Sequence, residues 1–229
     1  FLVADYNQIE LRVIAHLAED PGLIHAFESG QDIHNATAAS IFDVDPEKVT
    51  VEQRSRAKMV SYGLAYGMEA YGLGQRLGID TSEASEILDS YFEAFPAVRS
   101  FMDDVVARTK EIGYTETIFG RRRPIPDLVA SNFRVRQAAE RQAMNAPIQG
   151  LAADIFKIAL VAIDRSLTDM KARSRLVLQV HDEVIIEVHP DEYQDVQEMT
   201  VERMRGAADL RVPLEVNLAT GPTWAEAKA

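Results

Sequence analysis

RLVLQVHDEVIIEV (Arg175–Val188) is the stretch whose reading decides the fold. Apolar residues run on both sides of His181-Asp182, the pattern of two strands joined by a tight hairpin. Two acids, Asp182 and Glu183, sit at the tip between Val180 and Val184. The chain opens on a similar run, FLVADY (Phe1–Tyr6), with Asp5 where the strand ends. A last strand is expected over 211–218, with Val212, Leu214, Val216 and Leu218 on one face. Strands therefore lie at the two ends of the chain, with a long helical stretch between the first strand and the others. Strands so distant in sequence are expected to share one sheet. The predicted class is α+β: an antiparallel sheet with packed helices plus an inserted all-α subdomain.

The helical stretch divides at its punctuation. Residues 9–27 have a helical pattern broken at Asp20-Pro21-Gly22, and 31–42 form another helix. Residues 50–68 read as one helix, opened by the capping-box spacing Thr50/Gln53 and weakened at its end by Gly63 and Gly67. Residues 81–95 and 97–112 are amphipathic helices separated at Pro96, and 114–128 are irregular with short strand character. Residues 131–145 make a basic helix, Pro147 interrupts it, and an apolar helix runs on to Leu167. Residues 191–208 are the last helix. No repeat or low-complexity tract is present.

Composition gives the bounds. The 229 residues carry 24 Lys+Arg and 36 Asp+Glu, a net charge of −12, and no cysteine. Thiolate metal sites, disulfides and cysteine nucleophiles are excluded. No secretory leader pattern and no uncharged apolar run of ~18 residues is found, so no membrane partner is expected. A net charge of −12 argues at first against a nucleic-acid partner. Its distribution argues otherwise: residues 1–53 carry −8, 54–68 carry +3, 69–107 carry −6, 108–181 carry +6 and 182–229 carry −7. A folded surface with such alternation can hold a basic cleft and an acidic back, although solvated helix faces would give the same blocks.

Three acids at strand ends, Asp5, Asp182 and Glu183, have no Lys or Arg within three residues of Asp182. A charge beside apolar strands is costly unless paired or bound to a metal, and hard oxygen donors favour Mg2+. The plainer reading of Asp182 is an ordinary turn residue. Arg54, Lys58, Tyr62 and Tyr66 each follow the last by four residues, so on a helix they fan over one broad face roughly 18 Å long. Two cations at one end suit phosphates, and two rings at the other suit a sugar and a base. The plainer reading is a salt-bridged helix with two core tyrosines.

These segments resemble a known family. DYNQIELR (Asp5–Arg12), RSRAKMVSYGLAYG (Arg54–Gly67) and QVHDEV (Gln179–Val184) are similar to motifs A, B and C of the family A DNA polymerases, the bacterial polymerase I type. DIHNATAASIF (Asp32–Phe42), ETIFGRRRPIPD (Glu116–Asp127) and NAPIQGLAADIFK (Asn145–Lys157) match as well, in order along essentially the whole chain. The resemblance implies a palm of residues 1–8 and 132–229, with helical fingers over 9–131. The family's thumb and exonuclease-like domain have no counterpart in this sequence. It implies template-directed DNA synthesis from dNTPs on a primer-template. A monomer in the cytoplasm, associated with the nucleoid, is expected.

Residue by residue, the resemblance makes Asp5, Asp182 and the Tyr6 carbonyl the holders of two Mg2+ ions, with Glu183 auxiliary. Lys58 becomes a catalytic cation. Arg54, Lys58, His34, Tyr62, Tyr66, Glu10 and Gln8 become dNTP contacts, Glu10 as the gate against a ribose 2′-hydroxyl. Arg141, Asn145 and Gln149 become minor-groove contacts, His181 a primer-end contact, and Arg121, Arg122 and Arg123 backbone contacts. Groove donors make chemical sense, because purine N3 and pyrimidine O2 are acceptors in every base pair. Pro147 leaves the helical phase of Asn145 and Gln149 open. Two residues depart from the family pattern: Asn7 stands where Ser is usual, and Tyr62 where Phe is usual. The added phenol predicts weak discrimination against 3′-deoxy chain terminators. A single-subunit RNA polymerase is the rival enzyme, disfavoured by Glu10. A non-catalytic scaffold is the rival of another class, disfavoured by the intact Asp5, Asp182, Arg54, Lys58 and Tyr66. Little processive synthesis is expected of the chain by itself.

Overall fold

The structure, a computed structural model, describes residues 1–227. In chain order the elements are β1 (Leu2–Tyr6), α1 (Ile9–Ala18), α2 (Pro21–Glu28), α3 (Ile33–Phe42), α4 (Val51–Ala65), α5 (Ala70–Leu77), α6 (Thr81–Ala94) and α7 (Pro96–Ile112). They continue with β2 (Tyr114–Glu116), β3 (Arg122–Pro124), α8 (Phe133–Asp169), β4 (Arg175–Val180), β5 (Glu183–Glu187), α9 (Tyr193–Arg205), β6 (Val216–Thr220) and α10 (Trp224–Ala227). Two compact units result: a sheet unit of Phe1–Ile9 with the chain from Ala152 onward, and a helical unit of Glu10–Leu151.

The sheet unit contains one antiparallel sheet of order β4-β5-β1-β6. β1 comes first in sequence and lies between β5 and β6, in register Asp5↔Glu183 on one side and Asp5↔Asn217 on the other. That position explains its composition, since Leu2, Val3, Ala4 and Tyr6 are all buried. The Tyr6 hydroxyl donates to the Met204 carbonyl at 2.7 Å, and its ring meets Phe156 edge-on at 6.1 Å. On the opposite face Val3 and Ile185 pack with Ala227. β4 is one of the two edge strands, with Val177 and Leu178 exposed and the pairing register shifting between Leu176 and Leu178.

In the helical unit, Val106, Ile125, Leu128, Ala139, Ala143 and Ala146 form one apolar cluster. Asp20, 1% exposed, stitches two helix starts together. Its Oδ1 accepts from Gly22 and Leu23 N–H of α2, and its Oδ2 accepts from Ala97 N–H of α7.

Four expectations need correction. Pro147 does not end a helix, because α8 runs unbroken from Phe133 to Asp169. The lost hydrogen bond is offset by burial on the flanking turns, where Ala143, Ala146, Ile148 and Leu151 are all buried. The second unit boundary falls inside this helix, at Leu151/Ala152 rather than 131/132, since the cluster above draws its first turns into the helical unit. The last strand begins at Val216 rather than 211. Pro213 lacks a ladder N–H, so Val212 and Leu214 are buried as loop residues. α5 was not foreseen: its Gly72 and Gly74 look like a loop, yet a side chain at Gly74 would meet the Ile79 carbonyl oxygen at 3.0 Å. α8 is also long and apolar enough to cross a membrane by length and composition. Asp154 and Lys157 interrupt its apolar run, and Ile155, Ile163 and Leu167 are buried in the fold.

Candidate active site

In the sheet unit the candidate residues gather at one end of β1 and β5. Asp5 and Glu183 are direct cross-strand partners, so their side chains leave the sheet on one face. Tyr6 N–H donates to the Asp182 carbonyl at 3.4 Å, which fixes the hairpin tip beside the end of β1. Backbone strain marks both flanks: Gln8 and His181 have φ of 57° and 54° although neither is glycine. His181 is exposed and Asp182 half-buried.

Glu183 differs from the expectation of three converging carboxylates. It is buried, and its Oε1 accepts from the indole N–H of Trp224 at 2.5 Å. Among the described residues no three His, Asp or Glu side chains are grouped to hold a metal. Two carboxylates and a backbone carbonyl, from Asp5, Asp182 and Tyr6, are the hard-oxygen donor set that this end of the sheet offers. Such donors fit Mg2+. Trp224 escaped the sequence reading. A lone Trp in the stretch GPTWAE (Gly221–Glu226) carries no chemical signal until its N–H partner is known.

In the helical unit α4 sets out the cationic and aromatic row. Thr50 and Gln53 close the capping box in both directions, at 3.1 and 2.9 Å. Arg54 and Lys58 are exposed, Tyr62 is half-buried, and Tyr66 forms the cap of the helix. The helix stops in a Schellman turn, with Met68 N–H on the Gly63 carbonyl at 2.8 Å and Gly67 N–H on that of Leu64 at 2.9 Å. Gly67 has φ +70°, and a Cβ there would collide with the Asn145 side-chain nitrogen.

α3 packs beside α4 and brings His34 to the row, its ring 5.6 Å from that of Tyr62. His34 is 3% exposed, and its Nδ1 has no hydrogen-bond partner. Burial pushes its pKa down to about 4; Asp32 opposes this, and the Lys58 and Arg54 charges add to it. Neutral imidazole is therefore the form at pH 7. Glu10 Oε1 accepts from the Tyr66 hydroxyl at 3.1 Å, which joins the gate candidate to the aromatic end of the row.

Because α8 is unbroken, Arg141, Asn145 and Gln149 share one face at four-residue steps. Arg141 Nη1 bonds Glu69 at 3.0 Å, Asn145 is buried with its Oδ1 unbonded, and Gln149 is exposed. Arg121, Arg122 and Arg123 are exposed near the β2–β3 turn. Arg122 stacks over Tyr114 at 4.7 Å and lies 3.4 Å from Glu116. Two acids here escaped the sequence reading: Asp32, which pairs with Arg54 at 2.6 Å, and Glu69. Each precedes a helix, where an acid looks like no more than a cap.

DNA polymerase I of Mycobacterium bovis (strain ATCC BAA-935 / AF2122/97) is 50% identical over 223 residues, which is 97% of this chain and 25% of that protein. DNA polymerase I of Geobacillus stearothermophilus is 49% identical over 225 residues, covering 98% of this chain and 26% of the relative. Among solved structures, the POL domain of Pol1 from M. smegmatis, in complex with DNA primer-template and dNTP, matches with a TM-score of 0.95 and 48% identity. That match covers 100% of this chain and 40% of the other. The chain thus spans about a quarter of the length of these curated relatives. The sequence profile of DNA polymerase family A matches residues 1–226, and the chain belongs to that family.

Proposed function

We propose that the chain carries the nucleotidyl-transfer centre of a template-directed DNA polymerase, the sheet unit being its palm and the helical unit its fingers. The observation that supports this most is the α4 row, whose two tyrosines are met by His34 at Tyr62 and by Glu10 at Tyr66. In the reaction the primer 3′-oxygen attacks the α-phosphorus of a dNTP, the bond to the bridging oxygen breaks, and pyrophosphate leaves. Arg54 grips the outer phosphates with its planar fork. Lys58 neutralises charge nearer the α-phosphate and donates a proton to the leaving pyrophosphate. Neutral His34 offers one ring N–H to a phosphate oxygen. Tyr62 and Tyr66 meet the sugar and base, and Glu10 fills the place of a 2′-hydroxyl. Asp5, Asp182 and the Tyr6 carbonyl would hold two Mg2+ ions, which when bound acidify the attacking hydroxyl and neutralise the pyrophosphate. Arg141, Asn145 and Gln149 meet the minor groove, His181 meets the primer end, and Arg121, Arg122 and Arg123 meet backbone phosphate.

On this reading the partners are dNTPs and primer-template DNA, and the working unit is a monomer in the bacterial cytoplasm. Single-turnover incorporation of one templated dNTP, with the chain in excess over primer-template, tests it. Incorporation should need Mg2+, prefer dNTP to NTP and vanish in Asp182→Ala. Equal product from that variant, or a dNTP:NTP ratio near unity, would overturn it.

A further inference from the structure

The carboxylate of Asp32 divides its two oxygens between two helices. Oδ1 accepts from the backbone N–H groups of His34 and Asn35, at 2.9 and 3.0 Å, and so caps α3. Oδ2 accepts from Nε and Nη2 of Arg54 on α4, at 3.0 and 2.6 Å. One residue therefore ties the turn that carries His34 to the first cation of the α4 row. Partial burial pushes the Asp32 carboxyl up. The Arg54 hydrogen bond and charge and the Asn35 and His34 N–H groups outweigh it and hold the group ionised, below the ordinary carboxylate range.

An arginine at the exposed start of a helix has many rotamers, and ordering it on a ligand costs free energy at the moment of binding. Asp32 removes much of that freedom beforehand. It uses two of the five guanidinium N–H donors and leaves three for an anion. We propose that Asp32 is the positioning residue for Arg54: it pre-sets the guanidinium that receives the triphosphate and fixes it relative to His34. The proposal rests on the nucleotide-binding reading above.

A second effect opposes it, since the Asp32 charge also repels a polyphosphate. Both side chains are more than two-fifths exposed, at 44% for Arg54 and 43% for Asp32. The repulsion therefore acts through water, whose high dielectric weakens it even within the ~8 Å screening length of physiological salt. Rotamer restriction is not screened, so positioning wins at ordinary ionic strength.

Equilibrium binding of dTTP to the 229-residue chain at 0.15 M salt (roughly physiological) tests the proposal with Asp32→Asn, Arg54→Ala and the double variant. Asn keeps an oxygen to cap α3 and loses the charge, and Asp32→Ser gives a second variant that still caps. Asp32→Asn should weaken dTTP binding about two- to tenfold and leave the melting temperature nearly unchanged. In the Arg54→Ala background the same substitution should have no further effect, which a merely structural role would not produce. Unchanged or tighter binding by Asp32→Asn, while Arg54→Ala weakens it, overturns the positioning role alone. So does a loss that persists without Arg54. If Arg54→Ala leaves dTTP binding intact, the triphosphate reading of Arg54 fails and this inference fails with it.

Discussion

Gly67 answers to two constraints at once. Its φ of +70° lies in the left-handed region, and the space a Cβ would take is filled by the Asn145 side chain. The left-handed conformation costs an L-residue roughly 1–2 kcal/mol, and here the collision adds to it. Gly67→Ala should therefore lower the unfolding free energy by about 2 kcal/mol or more, read from urea melts. Adding Asn145→Ala should restore the steric part and leave the conformational part. Full additivity of the two losses would show that the contact does not exist in solution. The same pair has a functional side: the backbone that ends α4 at Tyr66 is held against a groove-contact candidate of α8. Displacing one is expected to displace the other.

Among the elements, those with local punctuation were legible from sequence. The capping box opened α4 as expected, Asp20-Pro21 divided α1 from α2, and Pro96 divided α6 from α7. The candidate row on α4 was legible too, because a four-residue spacing survives in any helix. The failures came where packing overrode local preference, at Pro147 and in the glycine-rich α5, or where a proline shortened a strand, at Pro213. Ion pairs that join distant residues, such as Asp32–Arg54 and Glu69–Arg141, leave no local trace at all. A further device of this kind holds the base of the β4–β5 hairpin. Glu192 accepts from the backbone N–H of Arg173 and from the N–H and hydroxyl of Ser174, each within 2.9 Å. The Arg173 N–H leads the effects that push its carboxyl pKa down to about 2, from an ordinary 4.5. A pKa lower in the folded state gives stability that is complete above the unfolded value and is lost as pH falls through the folded one. Stability should therefore decline between pH 4.5 and 2 on this account, and Glu192→Gln should flatten that part of the stability–pH curve. An unchanged slope in denaturant melts across the window would count against the network.

At the scale of the molecule, a net charge of −12 proves compatible with a polyanion-binding family. Three arginines that we propose meet phosphates or bases pair with acids of their own chain: Arg54 with Asp32, Arg141 with Glu69, Arg122 with Glu116. The two units also differ in how the chain builds them. Glu10–Leu151 is contiguous and has its own apolar cluster and caps. The sheet unit is discontinuous, and its central strand comes from the first residues: β5 and β6 each pair with β1 and not with each other. Deleting Phe1–Tyr6 removes the common partner of both strands and exposes the faces that Leu2, Val3 and Tyr6 cover. The helical unit keeps every residue of its own. Trp224 is the only tryptophan, and it lies in the sheet unit bonded to Glu183, so its fluorescence reports that unit alone. The truncated chain should show red-shifted, solvent-exposed Trp224 emission while most of the helical circular dichroism persists and still melts cooperatively. The fragment 10–151 should melt in the same range. Native emission after the deletion would mean that β1 does not hold the sheet together. Collapse of the helical signal would mean that the helical unit does not fold by itself.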